Sequence, residues 1–198
     1  MNLLTGTKRY RKGTKDFQLI VDVDLEDGEK AVEVEVEFLA AKDVKLKKRR
    51  PKLLTDFRVL QADVCGMAFH DPVEKVLTGK SVRGAKNSVR LRVASVADFL
   101  VMKAHAIGYR DKPKDTYDFC YCLEHFPGGL QALAKDWQQR MGHAEVARAR
   151  DILREKFDSV DAFGPLQLAE FHDSQDADTH AMHSRHAFEL VQKFLSLL

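Results

Sequence analysis

Cysteine is scarce and poorly spaced for its structural uses. The 198 residues hold three, at Cys65, Cys120 and Cys122. No C-x-x-C pair exists. Cys120 and Cys122 lie two apart in a predicted helix and so point to different sides of it. A disulfide framework and a structural zinc site are both disfavoured. The pattern fits a reducing cytosol, so a cytoplasmic location is expected. No apolar run approaches the roughly 20 residues of a membrane span, so no membrane partner is expected. The N-terminus lacks the short apolar core of a signal peptide. Internal repeats and low-complexity tracts are absent as well. A formal net charge of +2 does not by itself announce nucleic acid.

What is present is a soluble composition, 44% hydrophobic and 31% charged, long enough for one domain or one domain with an appendage. Basic residues are clustered at Lys8–Lys15 (KRYRKGTK) and Lys42–Lys52 (KDVKLKKRRPK). The second run is expected to be an exposed loop. It could meet a phosphate backbone, but it has no interleaved aromatics for base stacking. Phe17–Leu25 and Ala31–Leu39 alternate apolar and acidic residues around EDGE, which predicts two strands and a hairpin. In the second strand Val32, Val34, Val36 and Phe38 share one face, and Glu33, Glu35 and Glu37 the other. Leu53–Asp63 is read as a short helix, Gly66–Leu77 as short strands and Ser88–Ala94 as a clearer strand. Helices are predicted over 95–107, 114–125, 130–137, 144–157, 165–172 and 179–197. Strands first and helices afterwards give an α+β fold, with a β-rich part over 1–94 and a helical domain over 95–198.

The most informative stretch is Ser95–Gly129, SVADFLVMKAHAIGYRDKPKDTYDFCYCLEHFPGG. Ser95 and Asp98 form a variant of the capping box and fix a helix start. Val96, Phe99, Leu100 and Ile107 then form an apolar stripe, and Lys103 falls inside it. The lysine either snorkels to the rim or serves a site. In the next helix Phe119, Cys122, Leu123 and Phe126 form the stripe, and Asp115 and Asp118 head its core-facing side. Acids at a helix N-terminus are often local dipole partners. Together with Lys103 and the cationic turn Arg110–Lys114, they can instead form a buried ion pair or a phosphate-binding cleft. Three tail histidines, His180, His183 and His186, share one helix side. An exposed helix is a commoner cause of that pattern than a metal site. Phe188, Val191, Phe194 and Leu195 give that helix an apolar face.

FLVMKAHAI with Lys103, followed by RDKPKDTYD with Asp115 and Asp118, resembles the signature of AbiEii-type nucleotidyltransferases. These are the toxin-like branch of the minimal nucleotidyltransferase superfamily. VEVEFLA resembles the family's strand ending in an acid and Phe-Leu, which matches Glu37. The resemblance covers about residues 17–198.

It implies transfer of a nucleoside monophosphate from a nucleoside triphosphate to an RNA or protein acceptor, transfer RNA ends among them. The setting implied is toxin–antitoxin or phage defence, with an antitoxin protein as a possible partner. Mg²⁺ would be held by carboxylates, here Glu37 with Glu35 beside it. Lys103, Arg110 and Lys114 would hold the triphosphate. Asp115 and Asp118, with Lys103, would form the catalytic set. The superfamily's acid-x-acid pair after a glycine turn is not found in its expected context. Asp22 and Asp24 have the spacing, and TKDFQL has Gln18 in place of the second acid, but both lie close to the Glu35 and Glu37 strand. The chain is therefore expected to begin after that motif, or to have lost the pair. The alternative is a catalytically inactive nucleotide-binding or regulatory protein on the same fold.

Overall fold

The computed structural model describes residues 17–20, 33–36, 39–41, 60–80, 84–173 and 176–198, with side chains from residue 64 onward. The chain divides into two compact units. One holds 1–66 and 73–93, the other 67–72 and 94–198. Strands precede helices, and the class is α+β.

In the first unit β1 (Phe17–Ile20) pairs antiparallel with β2 (Glu33–Val36), the predicted hairpin. Its register sets Gln18 opposite Glu35 and Leu19 opposite Val34. The EDGE turn, Asp22, Asp24 and Glu37 lie outside the described residues, as does the basic run 42–52. A short strand β3 (Leu39–Ala41) pairs in parallel with β4 (Leu60–Ala62). Leu60–Ala62 is thus strand where the sequence reading expects the end of a helix. An apolar run of a few residues does not distinguish the two by periodicity. Between Gly66 and Leu77 the short strands expected are one 3₁₀ segment ending at Phe69 and one strand, β5 (Val73–Lys80). β5 pairs antiparallel with β6 (Lys86–Val93), from Val73 opposite Val93 to Lys80 opposite Lys86.

The second unit is a helical assembly: α1 (Val96–Tyr109), α2 (Pro113–His125), α3 (Gly129–Arg140), α4 (Ala144–Lys156), α5 (Phe163–Phe171) and α6 (Ala177–Leu195). Each of the six helices predicted over 95–197 is present, with ends shifted by a few residues. Ser95 caps α1 as expected. Its Oγ accepts from the Asp98 backbone N–H at 3.1 Å and donates to Asp98 Oδ2 at 2.6 Å. The α2–α3 turn runs through Gly128 at φ +98°, a left-handed conformation that a side chain would strain. Leu100, Val101, Phe119, Leu123, Leu133, Trp137, Val146, Leu153, Val191 and Phe194 build the core. Trp137 and Phe194 meet edge to face at 5.3 Å, and Phe119 and Phe194 at 6.4 Å. Gly164 lets α5 close on Phe157, because a Cβ there would lie 2.5 Å from the ring.

Two positions in the predicted stripes move. Val96 is exposed, and the buried row of α1 runs through Ala97, Leu100, Val101, Ala104 and Ile107. In α2 Cys120 is buried and Cys122 only half-buried. In each helix the core arc is turned by one or two residues from the predicted one. Small residues such as Ala97 and Ala104 carry weak hydrophobic signal yet permit close helix contact, so the larger Val96 dominates the sequence pattern.

Candidate nucleotide-binding site

The α1–α2 connection is three residues long, Arg110–Lys112. Arg110 leaves the helix in an extended conformation, with its N–H still bonded to Ala106 O. Pro113 restarts the chain at the first helical position, where its missing N–H costs nothing. This tight return packs α2 beside α1 and faces the last two turns of α1 with the first two turns of α2.

The expected charged side chains converge there. Lys103 Nζ donates to Asp115 Oδ1 and to Asp118 Oδ2, each at 2.7 Å. Arg110 grips Asp115 with two bonds, Nε to Oδ2 at 2.6 Å and Nη2 to Oδ1 at 2.9 Å. Lys114 Nζ donates to both Asp118 oxygens at 2.7 and 2.8 Å. Asp115 is 2% exposed and Lys103 16%, whereas Arg110 and Lys114 are half-exposed on the rim. Lys103 also lies 5.4 Å from the centre of the Phe99 ring, a favourable cation–π placement. The lysine therefore sits at the edge of the core arc with its stem packed and its ammonium shared between two carboxylates.

Electrostatics follow from this geometry. Burial pushes the Asp115 carboxyl up, but hydrogen bonds and charge from Arg110 and Lys103 outweigh it and hold the carboxyl below the usual range. Burial also pushes Asp118 up, and Lys103 and Lys114 outweigh it in the same way. Both acids are thus ionised near neutrality. Three cationic side chains surround two carboxylates. Cys122 lies one turn beyond Asp118. Burial raises its thiol pKa and Asp118 raises it further, against a smaller lowering by Lys103.

Residues 16–197 match the family described as "Nucleotidyl transferase AbiEii toxin, Type IV TA system". The chain belongs to the AbiEii family. This is the family resembled by the Lys103 and Asp115–Asp118 segment, over nearly the same span. It makes the chain nucleotidyltransferase-like and links it to toxin–antitoxin systems. No curated protein and no solved structure matches the chain.

Among the described residues, no group of three or more histidine, cysteine or acidic side chains could hold a metal ion. Asp115 and Asp118 do not fit that role as they stand, because cationic donors occupy both of them. The side chains of Glu35 and Glu37 lie outside the described residues. The tail histidines do not converge on a metal either. The His183 ring stacks on His172 at 4.0 Å, and His186 Nε2 is hydrogen-bonded to Glu124.

One charged pair escapes the sequence reading. Asp98 is fully buried, and its Oδ1 lies 3.4 Å from Arg140 Nε without a hydrogen bond between them. Arg140 donates to Asp136 O at 2.9 Å and to Asp71 Oδ2 at 2.8 Å. It thereby ties α3 to the segment 67–72. The available signal is spacing: Arg140 continues the buried row Leu133–Trp137 on α3, where a charge needs a partner.

Proposed function

We propose that this AbiEii-family protein is a cytoplasmic enzyme that transfers a nucleoside monophosphate from a nucleoside triphosphate to an RNA acceptor, such as a transfer RNA end, or to a protein. The observation that carries the reading is the Lys103 ammonium, 16% exposed and held between Asp115 and Asp118, with Arg110 and Lys114 on the rim. A polyphosphate competes for Lys103, Arg110 and Lys114 by offering several anionic oxygens to donors that each carboxylate now uses singly or in pairs. An acceptor oxygen attacks the α-phosphorus, the bond to the bridging oxygen breaks, and pyrophosphate leaves. Asp115 or Asp118, freed from its cation, positions the acceptor or accepts its proton. Glu35 and Glu37 are our proposed ligands for Mg²⁺, whose contribution when bound is to polarise the phosphate. A cognate antitoxin restrains the activity.

A second reading is a protein on the same fold that binds nucleotide without chemistry. It is favoured by the full occupation of both aspartates by cations. Incubation with each α-labelled nucleoside triphosphate, Mg²⁺ and total RNA separates the two. Label in RNA or protein supports the enzyme. Nucleotide binding with no transfer from any triphosphate supports the second reading and rules out the first.

A further inference from the structure

Tyr109, the last residue of α1, is 65% exposed yet firmly supported. The Arg148 guanidinium of α4 lies 5.4 Å from the centre of its ring. The His105 ring, one turn earlier in α1, is offset-stacked on it at 6.3 Å and 28°. His105 is itself fixed, since it is buried and its Nε2 bonds Glu145 O at 2.9 Å. Gly108 permits this arrangement: a Cβ there would come within 3.0 Å of Ile152, so α1 and α4 close against each other at this end. The Arg148 guanidinium lies against the ring, the Glu145 carboxylate lies 3.4 Å from His105 Nε2, and Arg110, Asp111 and Lys112 follow Tyr109 in the chain. Arg110 and Lys114 are paired with the Asp115 and Asp118 carboxylates. Core packing does not call for a large aromatic ring in this place.

We propose that Tyr109, backed by Arg148, is a stacking shelf for a nucleobase. A tyrosine ring left 65% exposed beside a guanidinium suits a planar base attached to phosphates. Tyr109 follows Lys103 by six residues, about 9 Å along the helix and about 120° round it at ~3.6 residues per turn. Phosphates held at Arg110, the next residue at the C-terminal end of α1, rather than at Lys103, are the ones a base on the ring would carry. The base belongs either to the bound triphosphate or to the terminal nucleotide of an RNA acceptor. The basic run Lys42–Lys52 has no aromatic ring to play this part. This inference rests on the nucleotide-site reading above.

The test is calorimetry on the full chain with two probe pairs: ATP against inorganic tripolyphosphate, and a short adenosine oligonucleotide against its abasic counterpart. Tyr109→Ala is expected to weaken the base-bearing member by about tenfold, within the range of one lost base stack. It should leave the base-free member within about twofold. Tyr109→Phe retains the wild-type ratio, and Arg148→Gln loses part of it. Whichever pair shows the effect identifies the source of the base. If Tyr109→Ala unfolds the chain, Tyr109→Leu keeps the bulk and removes the π face. Equal weakening of both members of a pair overturns the shelf. So does no change in either, a Phe variant as weak as the Ala variant, or no binding of either base-bearing probe. The underlying site is judged separately, by loss of tripolyphosphate binding in Lys103→Met. If that binding persists while the Tyr109 ratio holds, the Lys103 reading fails and the shelf stands.

Discussion

Replacing Lys103 by methionine keeps the stem that packs by Phe99 and removes the ammonium that joins two helices. Two charge-assisted hydrogen bonds of 2.7 Å are lost, each contributing about 1.5–3 kcal/mol. Relief from burying the ammonium offsets part of that, and Arg110 and Lys114 still hold the carboxylates. The expected net loss is about 2–3 kcal/mol at pH 7. Urea unfolding followed by Trp137 fluorescence measures it, since this single tryptophan is fully buried in the helical unit. The pH dependence has a defined sign. Asp115 and Asp118 have depressed pKa values in the folded chain. Their contribution is therefore fully present above the unfolded carboxyl value near ~3.9 and is lost as pH falls through the folded values. The gap between wild type and Lys103→Met should narrow progressively below pH ~4. A loss under about 0.5 kcal/mol at pH 7, typical of an exposed pair, would refute the view of this network as a partly buried structural and functional centre.

Other perturbations probe separate parts of the account. Gly164→Ala drives a methyl to 2.5 Å from the Phe157 ring and should destabilise by about 1–3 kcal/mol, whereas Gly142→Ala meets nothing within 4 Å and should change urea stability little. Asp98→Ala removes both a cap partner and the buried neighbour of Arg140 and should lose about 2–4 kcal/mol; Asp71→Ala, at an exposed end of the same network, should lose less than about 1 kcal/mol. Burial pushes the Cys120 thiol far up, with Glu124 adding to the rise, so a thiol reagent should leave it unlabelled in the native chain and label it in urea, as mapped by mass spectrometry.

The helical unit was legible because its signals are local and agree with one another. Ser95, Pro113 and Gly128 mark ends, and the apolar rows between them have one period. Lys103, Asp115 and Asp118 stood out because each is a charge at a core-facing position, and a short loop brings two such helices together. The rotation of the core arc was not legible, because Ala97 and Ala104 are buried for close packing that hydrophobicity does not register. Asp98 looked satisfied as a helix cap, and its pairing with Arg140, 42 positions further on, depends on packing between α1 and α3. Leu60–Ala62 became strand through a parallel partner at Leu39–Ala41, a non-local pairing that three residues cannot signal. The proposed metal ligands Glu35 and Glu37 rest on the resemblance of VEVEFLA to the family's strand, since the alternation of Glu33, Glu35 and Glu37 is what a solvated strand face produces equally well.

The most direct test of the central claim is nucleotidyl transfer by wild type and Lys103→Met side by side, with α-labelled nucleoside triphosphates, Mg²⁺ and total RNA, at a temperature where both remain folded by Trp137 fluorescence. Wild type should label acceptor, and the variant should lose at least about a hundredfold in rate. Undiminished labelling by Lys103→Met would contradict that claim.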